Sequence, residues 1–74
     1  MKNIKKEIDK FNTFKYKIKS YKDEDIELVK SSFEELKNNT KKIDLKLECL
    51  LYLKIINCEI NDREINKFLI EFNR

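Results

Sequence analysis

Reactive chemistry in this chain would have to come from two cysteines, a few adjacent carboxylates and many lysines, because its 74 residues include no His, no Gly, no Pro and no Trp. Without histidine the commonest general base is missing, and most zinc sites go with it. Without glycine there is no Gly-rich phosphate loop and no Gly-dependent tight turn. Cys49 and Cys58 lie nine residues apart, so on one helix they would point about 180° from each other and could not bridge within it. Lacking CxxC spacing or histidine partners, they read as small buried hydrophobes rather than ligands or nucleophiles. The carboxylates of Asp23, Glu24 and Asp25, and of Glu34 and Glu35, adjoin one another on surface expected to be exposed, with no neighbour that would make either group a catalytic acid. Catalytic residues, a metal, a cofactor and a small-molecule substrate are therefore not expected, since four short helices leave little room for a pocket of roughly a few hundred Å3.

The lysines suggest a different chemistry. Lys10, Lys15, Lys17, Lys19 and Lys22 interleave with Phe11, Phe14, Tyr16 and Tyr21, the combination that phosphate contact and base stacking require. Arginine, whose fork reads phosphates and guanines bidentately, is represented only by Arg63 and Arg74. The plainer reading, with aromatics inward and lysines solvated, is preferred; RNA contact through these five lysines stands as the alternative, ahead of a membrane-surface helix. Charge is unevenly spread within the overall +3: residues 1 to 22 carry eight Lys against Glu7 and Asp9, net +6, and residues 23 to 37 are net −4. A basic arm followed by an acidic segment can pair internally, which weakens the case for nucleic acid.

These groups must be positioned by a single small domain, residues 1 to 74, hiding only about 60% of the surface its unfolded form exposes. Charged residues make up 42% and the hydrophobic set 41%, too apolar for a disordered tail and too charged for a membrane span. Lys2, Lys5 and Lys6 precede no continuous apolar stretch of the signal-peptide kind, so a cytoplasmic protein is expected.

Polar breaks near Ser20 to Lys22, Asn38 to Thr40 and Asn57 to Asn61 divide the chain into four segments. Ile4, Ile8, Phe11, Phe14 and Ile18 recur at steps of three and four, as do Ile26, Val29, Phe33 and Leu36, and both sets predict amphipathic helices. Asp23, Glu24 and Asp25 stand where a helix dipole favours negative charge. In the third segment a helix would place Leu45, Cys49, Leu53 and Ile56 on one face and Leu47, Leu51 and Ile55 on an adjacent one, making it the central helix, covered on two sides. In the fourth, Asn61 followed by Glu64 predicts a helix cap, ahead of the stripe Ile65, Phe68, Leu69 and Phe72. A strand reading competes, because Phe14, Tyr16 and Ile18, and again Ile43, Leu45 and Leu47, alternate with polar residues. It would yield a parallel two-stranded sheet, a poor solution for so short a chain. The expected fold is therefore all-α: a small bundle of about four short antiparallel helices, two helical hairpins, compatible with a repeat. Its core is expected at Leu47, Leu50, Leu51, Ile55, Phe33, Leu36, Phe68 and Leu69.

The run Lys17, Ile18, Lys19, Ser20, Tyr21, Lys22, Asp23, Glu24, then Leu28, Val29, Phe33, Glu34, Glu35, Leu36, Lys37, followed by Lys46, Glu48, Leu50, Leu51 and Leu53, resembles the N-terminal helical repeats of adaptins. These are the large chains of vesicle-coat adaptor complexes, and the delta-type chain is the nearest in pattern. The resemblance is one of helix-packing pattern over about residues 8 to 72. It implies a scaffold that binds other proteins through helix faces, with no catalytic residues to carry over.

The function expected from all this is a protein-binding helical module docking on a larger protein or macromolecular assembly. The anchors would be aromatic faces framed by charge: Phe11, Phe14 and Ile18 on the first helix, or Phe68 and Phe72 on the last. The alternative is an accessory subunit of a ribonucleoprotein such as the ribosome, held to RNA by the basic N-terminal segment.

Overall fold

A computed structural model describes residues 4–73, so that Lys2 and Arg74, counted above among the basic residues, lie outside it. It contains three helices, α1 (Ile4–Ile18), α2 (Asp23–Asn39) and α3 (Ile43–Phe72), and no strand among the described residues. The all-α expectation holds; the number of helices does not, because the third and fourth segments are one helix of 30 residues.

Helix ends here are made without left-handed residues, as a glycine-free chain requires, and no described residue has positive φ. After α1, the amides of Lys19, Ser20 and Tyr21 donate to carbonyls three residues back, tightening the last turn. Ser20 Oγ adds a bond to the Lys17 carbonyl at 2.7 Å. The chain then enters α2 from an extended Lys22 that offers no side-chain cap, and the acidic first turn of Asp23, Glu24 and Asp25 meets the dipole instead. Thr40 closes α2 in extended conformation, its N–H donating to the Leu36 carbonyl at 3.0 Å.

The expected break at Asn57 to Asn61 is absent, and Asn61 is an exposed mid-helix residue rather than a cap. Asparagine costs a helix interior only about 0.7 kcal/mol relative to alanine, and no glycine or proline interrupts the stretch. Ile56 and Ile60 continue one face into the core through this segment, and tertiary burial overrides the small local penalty.

The core is small and lies where α1, α2 and the middle of α3 meet. Ile18, Ile26, Leu53 and Ile56 form it, ringed by Phe14, Tyr21, Val29, Phe33, Ile55 and Ile60, and Cys49 is also buried. Leu47, Leu50, Leu51, Leu36, Phe68 and Leu69, all expected inside, are exposed, whereas Phe33 and Ile55 do pack against the core. The reason is that α3 is apolar on two opposed faces, and α1 and α2 cover only one. At 100° per residue, Cys49, Leu53, Ile56 and Ile60 point towards those helices. Ile43, Leu47, Leu50, Ile65, Phe68 and Phe72 point away. Beyond Arg63, residues 64 to 72 of α3 are all exposed and form a projecting arm.

Candidate interaction surface

The middle of α1 meets α3 through its aromatics. Phe11 and Phe14 lie 4.9 and 4.7 Å, centroid to centroid, from Tyr52 of α3. Phe33 of α2 stacks on that ring at 4.8 Å and meets Phe14 edge-to-face at 5.9 Å. Such pairs add about 0.5–1.5 kcal/mol each beyond area burial. Phe11, Phe14 and Ile18 thus pack within this fold: Ile18 is buried, and Phe11 and Phe14 are half-buried on the stripe that α2 and α3 cover.

The five lysines do not converge on one groove. Lys10 forms an ion pair with Glu48 and lies 5.9 and 5.7 Å from the centroids of Phe11 and Tyr52, sealing the edge of the aromatic cluster. The Glu48 hydrogen bond outweighs partial desolvation and raises the Lys10 pKa above its ordinary 10.5. Lys19 folds over Tyr16 at 5.6 Å. Lys15, Lys17 and Lys22 are exposed; Lys15 and Lys17 leave α1 about 160° apart, and Lys22 sits in the turn before α2.

Arg63, considered from sequence only as a phosphate reader, is the polar centre of the fold. From α3 its Nε donates to Glu59 at 3.0 Å and its Nη1 to Asp23, at the start of α2, at 2.6 Å. Its Nη2 reaches the carbonyl oxygens of Ile18, Lys19 and Tyr21 at 3.2, 3.3 and 2.8 Å. One guanidinium thus caps the C-terminus of α1 and ties the α1–α2 turn to α3, adding a charged donor to the Ile18 carbonyl, which also accepts from the Tyr21 amide, and to the carbonyls of Lys19 and Tyr21. The Asp23 hydrogen bond, foremost among its partners, raises its pKa further, so the charge is permanent. The i,i+4 spacing of Glu59 and Arg63 was visible in the sequence; the three carbonyls, more than forty residues away in the chain, were not.

Alongside smaller sets at Ile4, Ile8 and Tyr16 of α1 and Leu28 and Leu36 of α2, the largest set of exposed apolar residues lies on the outer face of α3. Its N-terminal half presents Ile43, Leu47, Leu50 and Leu51, and its C-terminal half Ile65, Phe68, Leu69 and Phe72, with Phe68 65% and Phe72 77% exposed. The two phenyl rings stack on each other at 6.2 Å, the arm providing them no other ring contact. Beside Leu47 and Leu51, a shallow groove between α1 and α3 is floored by Phe11 and rimmed by Glu7, Asp44 and Glu48. Of the thiols, Cys49 is buried and Cys58 exposed on the outer face between the two apolar halves. Asp23 is taken by Arg63, and Glu34 and Glu35 stand on exposed surface of α2. Among the described residues no helix is long and apolar enough to cross a membrane. Comparison with protein families, with curated proteins and with solved structures finds no match for this chain.

Proposed function

We propose that the chain is a non-enzymatic protein–protein interaction module, acting in the cytoplasm, whose docking surface is the outer face of α3. One observation carries this reading: the longest helix is apolar on two opposite faces, and its own fold covers one of them. Taking about 200 Å2 for a large apolar residue, the exposures of the eight outer-face residues amount to roughly 900 Å2, divided between two patches on one helix that are each the size of the largest patch of a typical monomer, about 300–600 Å2. Phe68 and Phe72 are the natural anchors, being aromatic and exposed. The free, exposed thiol of Cys58 suits a reducing compartment. The pattern shared with adaptin repeats, helices that bind proteins through their faces, supports the same reading, whereas RNA contact is disfavoured by lysines that diverge or are already engaged.

The test is capture of partners by the tagged full chain at two salt concentrations, followed by variants against whichever partner is identified. Phe68→Ala and Phe72→Ala should each weaken binding several-fold, with little salt dependence. If instead Lys15→Ala, Lys17→Ala and Lys19→Ala dominate and affinity falls steeply with salt, the chain is an RNA-contacting subunit and the docking proposal is wrong.

A further inference from the structure

The outer face of α3 has an internal symmetry that identifies an occupant. Along its seam the positions are Ile43, Leu47, Leu50 and Lys54, then Asn61, Ile65, Phe68 and Phe72, separated within each half by three or four residues. Reversal about the midpoint between Asn57 and Cys58 maps Ile43 onto Phe72, Leu47 onto Phe68, Leu50 onto Ile65 and Lys54 onto Asn61; Leu51 and Leu69 lie on one flank of this seam, outside the match. A surface that coincides with its own reversal is self-complementary under a twofold axis perpendicular to the helix, the condition for an isologous dimer.

We propose that the outer face of α3 pairs antiparallel with α3 of a second copy of this chain. The inference rests on the reading of that face as an interaction surface and specifies its partner. Small-to-large matching supports it: each aromatic of the projecting arm falls opposite an aliphatic residue of the second copy's N-terminal half, so each arm covers the patch the other leaves bare. Phe68 of the second copy then lies over Leu47, beside the groove between α1 and α3. The steps of three and four are those at which helices interdigitate side chains. The six apolar seam residues expose roughly 700 Å2 per chain, close to the about 800 Å2 per partner of a standard stable interface.

Charge selects the direction. A parallel pair would set Lys54 against its own copy within an apolar seam. The antiparallel pair sets Lys54 against Asn61, beside Asp62 and Glu64 of the second copy. It also brings Lys46 to Glu71 on the same flank, because in an antiparallel pair each flank meets its counterpart. Cys58 lies next to the twofold axis, exposed, so that its thiol meets the copy's thiol at a spacing a disulfide can span.

Sedimentation equilibrium of the purified full chain should show a mass rising with concentration from 9.1 kDa to twice that value. Leu47→Glu and Phe68→Glu each change a residue that is exposed in the isolated fold, so the helical circular dichroism of dilute samples should persist while the dimer weakens by at least about tenfold. Lys46→Glu should weaken pairing and Lys46→Glu with Glu71→Lys should restore it, a rescue that no parallel arrangement can produce. Mild oxidation should cross-link the dimer through Cys58, and Phe68→Glu should abolish the cross-link. A chain that stays monomeric at hundreds of micromolar, a dimer indifferent to both glutamate variants, or failure of the charge swap would overturn the antiparallel pairing. Monomeric behaviour with partner capture still lost on Phe68→Ala would overturn the pairing alone and leave the interaction reading standing.

Discussion

Arg63 shows how much of a small fold can depend on one side chain. It is 26% exposed, and its five acceptors lie on all three helices or the turn that joins the first two. Asp23, at 86% exposure, contributes little to stability as a surface ion pair. The Tyr21 carbonyl matters more, because losing Arg63 takes a charged donor from a partly buried acceptor, whereas the Ile18 carbonyl keeps the Tyr21 amide. Arg63→Ala is accordingly expected to cost about 2–3 kcal/mol in thermal or urea unfolding, and Asp23→Asn less than about 0.5. Arg63→Lys should recover little of the loss, since a single ammonium cannot span carboxylates and carbonyls in the directions a planar fork reaches. A lysine variant as stable as the parent would show that charge alone matters. At this scale the sequence was legible in type but not in place: lysines and aromatics stood out at residues 10 to 22, yet whether Phe14 looked outward or at Tyr52 depended on α3, thirty residues further on.

The helices themselves show why periodicity located α1 and α2 and misjudged α3. In α1 and α2 most apolar residues share one face, with Tyr16 and Leu28 as exposed exceptions, so spacing identifies the helix and its buried side together. In α3 every odd position from Ile43 to Ile55 is apolar, a step of two residues that advances about 200° around a helix. The result is two nearly opposite apolar faces, and the strand-like alternation at Ile43, Leu45 and Leu47 is the one-dimensional trace of that arrangement. Which face turns inward depends on what packs against it, and sequence alone places Leu51 and Leu53 on equal terms. The structure separates them: Leu53 is 6% exposed and Leu51 49%. Leu53→Ala should therefore destabilise the isolated chain by about 2–5 kcal/mol, and Leu51→Ala by less than half as much, measured by unfolding in dilute solution. Asn61 offers a separate check on continuity. As a helix cap its replacement by alanine would cost about 1 kcal/mol; at the middle of α3 the same change should be neutral or stabilising by about 0.5 kcal/mol, through better helix propensity.

The shape of the whole molecule follows from that unbroken helix. A compact chain of this length has a radius of gyration of about 11 Å, whereas this one has 14.6 Å and extents of 52 × 28 × 15 Å. The excess lies in the arm of α3 beyond Arg63, where the helix leaves the cover of α1 and α2. With four fully buried side chains and Leu53 at its centre, the fold has little stability to lend to that arm. An unsupported helical stretch of fewer than about 12 residues is marginal in water. Stability should thus be graded along a single helix. Amides from Leu53 to Ile60 are expected to exchange only through global unfolding, and those of residues 67 to 72 through local fraying, orders of magnitude faster. Hydrogen exchange read by mass spectrometry on dilute chain would reveal this as fast labelling confined to the C-terminal peptide. The same peptide should become protected as concentration rises, because the arm then lies against Leu47 and Leu50 of a second chain. Fast labelling at every concentration would leave the arm without that cover, and protection already complete at high dilution would mean that the arm is held within a single chain.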